Sequence, residues 1–136
     1  MIVADTNTIA YLYLNSEKSA QAEQLLRREP HWLAPNLWKS EFRNVLALYL
    51  RKKLLTLDDA LRIVRQAETL LQQNEYEISS VQVLQLVAGS NCSAYDCEFV
   101  ALAKLLNVPL ITADRKVLQA FPAIARTIEG FLAKGE

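Results

Sequence analysis

Four acidic residues in this chain lie where chemistry, rather than solvation, could use them. Asp5 ends the apolar run Ile2-Val3-Ala4, and Asp114 follows Leu110-Ile111-Thr112. Glu41 has Leu37, Trp38, Val45 and Leu48 at i−4, i−3, i+4 and i+7, which on a helix places it inside an apolar stripe. Asp96 shares a helix face with Phe99 and Ala103 at i+3 and i+7. Two strand ends and two helix faces could thus send four carboxylates to one place. Carboxylates about 5 Å apart repel by about 3 kcal/mol at an effective dielectric of about 20, so such a place needs protons or a cation. All-oxygen donors, with no Cys or His among them, select the hard ions Mg2+ or Mn2+. A hard divalent ion held by carboxylates is the usual machinery of phosphodiester hydrolysis.

Each acid also has a purely structural account. An Asp after a strand often caps the next helix, and Asp5 is followed by Thr6, Asn7 and Thr8, which could cap as well. Asp114 reads as the cap of a short helix in "TADRKVL". Ser93-x-x-Asp96 fits a capping box. Glu41 could form a salt bridge or sit at a stripe edge that solvent reaches. Singly the structural accounts compete well; jointly they leave the convergence unexplained.

The elements that must position these acids follow from hydrophobic periodicity. Ile2 to Ala4 is a short continuous apolar run, the mark of a strand buried on both faces. Helical patterns are expected at about 8–14 and 17–28, then a second strand in "HWLAP". Pro35 and Asn36 open a helix that stays periodic to Leu54, and Thr56 caps another running through "LDDALRIVRQAETLLQQN". "YEIS" resembles a third strand, with helices at about 81–89 and 93–107, a strand at Val108 to Thr112 and a last one at Ala125 to Ile128. Strands alternating with helices predict a single α/β domain over residues 1–136, with a mostly parallel central sheet flanked by helices. In such sheets ligands bind beyond the carboxyl ends of the strands, where Asp5 and Asp114 stand.

Composition narrows the classes. The chain has 136 residues, 51% hydrophobic and 22% charged, with a formal net charge of zero. No overall positive field gathers nucleic acid or anionic membrane, so a polyanion must be held locally. Cys92, Cys97 and the single His31 cannot build a structural zinc site, and buried, idle thiols are expected. No secretory signal or membrane-spanning run is read, and a cytoplasmic protein is expected.

The segments "MIVADTNTIAYLY", "LWKSEFRNVL" and "CSAYDCEFVALAKLLNVPLITADRKVLQAFP", in that order, resemble the PIN-domain family, in particular the VapC-like toxins of bacterial toxin–antitoxin pairs. The likeness runs from Ile2 to about Ile128. It implies a metal-dependent endoribonuclease, often homodimeric and inhibited by a small antitoxin. By resemblance, Asp5, Glu41, Asp96 and Asp114 match the family's acidic quartet around Mg2+. Asn7 and Thr112 match its supporting polar positions. Arg115 and Lys116, next to Asp114, are the candidate RNA contacts, ahead of Arg43 and the Arg51-Lys52-Lys53 run, which suits a helix C-terminus. Glu98 has no fixed counterpart. Lying about 200° around a helix from Asp96, it is expected to face mostly outward.

Three rivals differ in kind. A phosphoacceptor receiver domain carries its acceptor Asp on an interior strand, not at residue 5. A phosphatase with an Asp nucleophile wants a second acid two residues on, where this chain has Asn7. A catalytically silent PIN-like binding or regulatory module remains the alternative.

Overall fold

Continuous apolar runs become the middle of a sheet. The computed structural model describes residues 1–134, in which five strands, β1 (Ile2–Ala4), β2 (Trp32–Pro35), β3 (Glu75–Tyr76), β4 (Leu110–Ile111) and β5 (Ala125–Arg126), pair in parallel in the order β3-β2-β1-β4-β5. Ile2, Val3, Ala4, Trp32, Leu33 and Ala34 are fully buried, as strands covered on both faces must be. Val3 is in register with Leu33 on one side and Leu110 on the other, and Ala4 with Ile111. The chain steps outward from β1 to β2 to β3, then returns to the far side of β1 for β4 and β5. The strand order therefore reverses at β1. The carboxyl ends of β1 and β4 lie side by side at this switch point, where open α/β sheets form their crevice.

Eight helices flank the sheet among the described residues: α1 (Thr6–Tyr13), α2 (Ser19–Arg28), α3 (Leu37–Arg51), α4 (Leu57–Leu70), α5 (Ser80–Ala88), α6 (Ala94–Leu106), α7 (Arg115–Ala120) and α8 (Ile128–Ala133). The α/β class with a parallel sheet is as expected. The last two residues of the expected 1–136 domain lie outside the described residues. None of these helices is long and apolar enough to cross a membrane.

Two of these helices matter most for the crevice. Helix α6 packs on β1, β2 and β4 through a buried run that includes Phe99, Val100, Leu102 and Ala103. Its first turn is thereby held near the ends of β1 and β4. Helix α3 buries Trp38, Phe42 and Leu46, an i, i+4 stripe whose first two rings lie 5.7 Å apart. This corrects the expected stripe. Leu48 is half exposed, and Glu41 sits about 100° from Phe42, at the stripe's edge rather than inside it.

Helix ends differ from expectation for local reasons. Helix α3 stops at Arg51, short of Leu54, because Lys53 adopts a left-handed backbone (φ 58°) and Leu54 N–H bonds back to the Tyr49 carbonyl. Helix α4 stops at Leu70, ahead of Gln73 at φ 66°, and α6 stops at Leu106, capped by Asn107 at φ 55°. Helix α1 starts earlier than expected because Asp5 caps it, accepting the Thr8 N–H. The third strand is Glu75–Tyr76 rather than "YEIS", since only those residues pair, with Ala34 and Pro35. The last strand ends at Arg126. Thr127 then caps α8, a helix the sequence pattern did not predict. Gly130, a poor helix former, sits inside α8 where an added Cβ would come within 3.0 Å of the Thr127 hydroxyl. Cys92 and Cys97 are free and buried, as expected.

The α6 register yields a direct test. Leu102 is fully buried while Leu105 is 57% exposed. Leu102→Ala is expected to cost about 2–5 kcal/mol of unfolding free energy. Leu105→Ala should stay within about 0.5 kcal/mol of wild type by chemical denaturation. Equal losses at the two positions would contradict this register.

Candidate functional site

The strand order, the α3 edge and the α6 first turn bring Asp5, Glu41, Asp96 and Asp114 to the wall of one cavity of about 450 Å3. Asn7 and Thr112 line it too. The four residues come from four separate parts of the chain, and their meeting is a product of topology. Among the described residues, no ion pair reaches any of the four. The salt bridges formed elsewhere join Glu29, Glu68, Glu75 and Asp59 to their cations.

Asp5 is held from both sides. Its Oδ1 accepts the Thr8 N–H at 2.9 Å and the Thr8 hydroxyl at 2.7 Å, and its Oδ2 accepts the Thr112 hydroxyl at 2.6 Å. The β1–β4 register explains the last bond: Ala4 pairs with Ile111, so the next residues, Asp5 and Thr112, emerge together. Thr112 Oγ1 also accepts the Asp114 N–H at 3.1 Å, linking the two strand-end acids through one hydroxyl. Burial pushes the Asp5 carboxyl above its ordinary pKa; the bonds from Thr112 and Thr8 oppose that, and the charge of Asp114 adds to it. The Oδ2 oxygen, with a single bond, keeps a lone pair free for a cation.

Glu41 accepts the Thr6 hydroxyl at 2.6 Å through Oε1. Burial raises its pKa against that bond, and the charges of Asp96, Asp5 and Glu98 raise it further. Asp96 is raised by burial and then by Asp114, while Ser93 and the Lys116 charge pull the other way. The Ser93 hydroxyl accepts the Asp96 N–H at 3.0 Å, as a capping serine does. Asp114 caps α7, its Oδ1 accepting the Lys116 and Val117 N–H groups. Capping and cavity-facing therefore coexist in Asp5 and Asp114.

Other sequence-derived candidates are placed differently. Arg115 and Lys116 are exposed on the first turn of α7 and do not line the cavity; Lys116 borders a neighbouring cleft with Ser90 and Asn91. Glu98 does not line the cavity either. It is only partly exposed, and its charge reaches Glu41, so the expectation of a mostly outward residue is corrected. Thr6 and Thr8, both buried, were overlooked as anything beyond caps. Nothing local to "DTNT" announces that the Thr6 hydroxyl meets a glutamate 35 residues away.

Among the described residues, no three acids converge into a ready-made ligand set. The donor chemistry still suits Mg2+, which keeps several waters and takes one or two carboxylates directly. Asp5, Glu41 and Asp96, which burial and neighbouring charge push toward protonation and which no ion pair reaches among the described residues, are oxygen donors that fit a hard divalent ion.

An open parallel sheet with acids gathered at its switch point defines an α/β crevice protein, and sequence comparison carries the class to a family. Residues 2–124 match the PIN domain model, and the chain belongs to the PIN-domain family. Ribonuclease VapC3 of Pyrobaculum aerophilum is 29% identical over 126 residues, spanning 90% of this chain and 96% of that protein. The fold is similar to FitAcB from Neisseria gonorrhoeae, with TM-score 0.73, 18% identity and coverage of 94% of this chain and 98% of that one. A toxin–antitoxin complex from Klebsiella pneumoniae also superposes, with TM-score 0.68, 18% identity and the same two coverages.

The raised carboxyls set a sign for pH. A carboxyl whose folded pKa exceeds its unfolded value contributes stability below the unfolded value and loses it as pH rises through the folded one. Glu41→Gln removes the charge and keeps an oxygen for Thr6. With EDTA present, its melting temperature relative to wild type should be higher at pH 7.5 than at about pH 4, below the ordinary glutamate pKa. A difference independent of pH would show that Glu41 carries no such burden.

Proposed function

We propose that this protein is a metal-dependent endoribonuclease using Mg2+ or Mn2+, the toxin of a type II toxin–antitoxin pair. The observation that carries the reading is four acids around one cavity with, among the described residues, no cationic side chain paired to them. The ribonuclease name of the 29% identical relative supports the substrate, and the fold neighbour solved as a toxin–antitoxin complex supports a small antitoxin partner. A homodimer and a cytoplasmic location complete the proposal.

Asp5 and Asp96 are assigned as metal ligands, directly or through water. Asp114 completes the shell, and Glu41 orients a water or holds a second ion. When bound, the ion activates water and offsets charge on the phosphate and the leaving oxygen. The chain's own part is positional. Thr8 and Thr112 fix the Asp5 carboxylate, Thr6 fixes Glu41, and the Thr112 hydroxyl keeps Asp114 in step with Asp5. Asn7, exposed at the cavity, supplies an amide to a phosphate or a bound water.

The lack of a ready-made three-acid ligand set favours the second reading, a silent PIN-like module that binds RNA or protein without metal. One experiment separates them. Purified protein should cut single-stranded RNA with Mg2+ or Mn2+, and EDTA should stop it. Asp96→Asn should lose more than about 100-fold in rate, beyond the 10–100-fold typical of residues that only support a ligand. Glu98→Gln should stay within a few-fold. Cleavage that survives EDTA and Asp5→Asn together would sink the proposal, and a dead Glu98→Gln beside an active Asp96→Asn would move the site.

A further inference from the structure

A polyanion meets an awkward surface here. The chain has no net charge, and among the described residues neither Lys nor Arg lines the acid cavity. A bound ion can attract one phosphate, yet nothing cationic on the wall holds the rest of a strand. Arg115 and Lys116 lie exposed outside it, so at the cavity itself a strand must be met by contacts that ignore charge. The same cavity carries apolar side chains, Leu37, Val45 and Phe99. At its edge stands Tyr95, next to Asp96 on the first turn of α6 and 62% exposed.

Tyr95 differs from the other tyrosines. Tyr11, Tyr13, Tyr49 and Tyr76 are partly buried and packed against the core, and Tyr95 is not. The helix start does not need an aromatic ring at that position, since Ser93 caps it. An exposed ring beside a cavity with apolar walls is a surface for a flat, apolar-faced ligand. A nucleobase is such a ligand, and stacking works on every base because each has a π-face.

Resting on the nuclease reading above, we propose that Tyr95 is a stacking platform for a nucleobase of single-stranded RNA next to the phosphate in the acid cavity. Tyr95 is a positioning residue: it holds the strand and leaves the reacting atoms to the acids. Its contribution is tolerant of base identity and nearly independent of salt, because it releases no counterions. A paired strand, whose bases are already stacked, cannot use it.

The test measures binding of a labelled nine-nucleotide RNA by fluorescence anisotropy, in Ca2+, with each sample checked on a gel so that only intact RNA counts. Calcium also takes oxygen ligands, with looser geometry than Mg2+. Tyr95→Ala and Tyr95→Leu are expected to weaken binding roughly tenfold, equally at low and moderate salt, while Tyr95→Phe and Tyr95→Trp stay within about twofold of wild type. An abasic nucleotide at one position should weaken wild type by the same factor and leave Tyr95→Ala unaffected. With Mg2+, Tyr95→Ala should raise KM and spare kcat. If wild type binds and Tyr95→Ala or Tyr95→Leu binds equally well, the platform is wrong while the nuclease reading stands. If Tyr95→Phe falls with Tyr95→Ala, the hydroxyl acts and stacking is excluded. If no variant, wild type included, binds RNA, the nuclease reading fails and takes the platform with it.

Discussion

The constraint on which this fold turns is the crowding of carboxylates at the end of the two central strands. Asp5 cannot leave, because β1 is buried on both faces and the chain must exit where that strand ends. Asp114 arrives beside it because β4 pairs with β1 and the strand order reverses there. Helix α6 adds Asp96 by packing on the same strands, and α3 adds Glu41 from the edge of its buried stripe. Burying carboxylates together costs free energy unless each is hydrogen-bonded, protonated or bound to a cation. Among the described residues the protein supplies hydrogen bonds and no ion pair to these acids.

Three threonines carry that accommodation. Thr6, Thr8 and Thr112 are the buried polar side chains among the described residues, and every one donates its hydroxyl to a site acid. No buried side-chain nitrogen or oxygen among the described residues lacks a partner. A hydroxyl can orient a carboxylate without neutralising it. The hydroxyls therefore fix the positions of Asp5 and Glu41 and leave their charge uncompensated by an ion pair, the condition that the proposed cation site requires.

Much of this was legible in the sequence, for physical reasons. Two-sided burial writes β1 and β2 as unbroken apolar runs, and the cap at Thr56 is local chemistry. The strand-end acids were legible because Asp interrupts an apolar run. Of the neighbours through which Glu41 was located, Trp38 is buried and Leu37 and Val45 pack on the core, but Leu48 is exposed, and Glu41 lies at an edge that periodicity alone cannot distinguish from a centre. Helix α8 was missed because six residues with a glycine inside carry too little periodic signal. The role of Thr6 was invisible because it depends on a pairing between distant segments, and the partial burial of Glu98 is likewise a tertiary effect.

The central claim is that the cavity binds a divalent ion through these acids. Thermal melting against Mg2+ concentration at neutral pH tests it most directly, comparing wild type with Asp5→Asn and Asp114→Asn. A ligand that binds only the folded state stabilises it by RT ln(1 + [L]/Kd), about 2.7 kcal/mol at a hundredfold excess over Kd. Wild type should gain a rising melting temperature with log Mg2+, and each variant should gain clearly less while being no less stable than wild type in EDTA. Equal gains from Mg2+ in all three proteins, or none in wild type, would contradict a shared cation site.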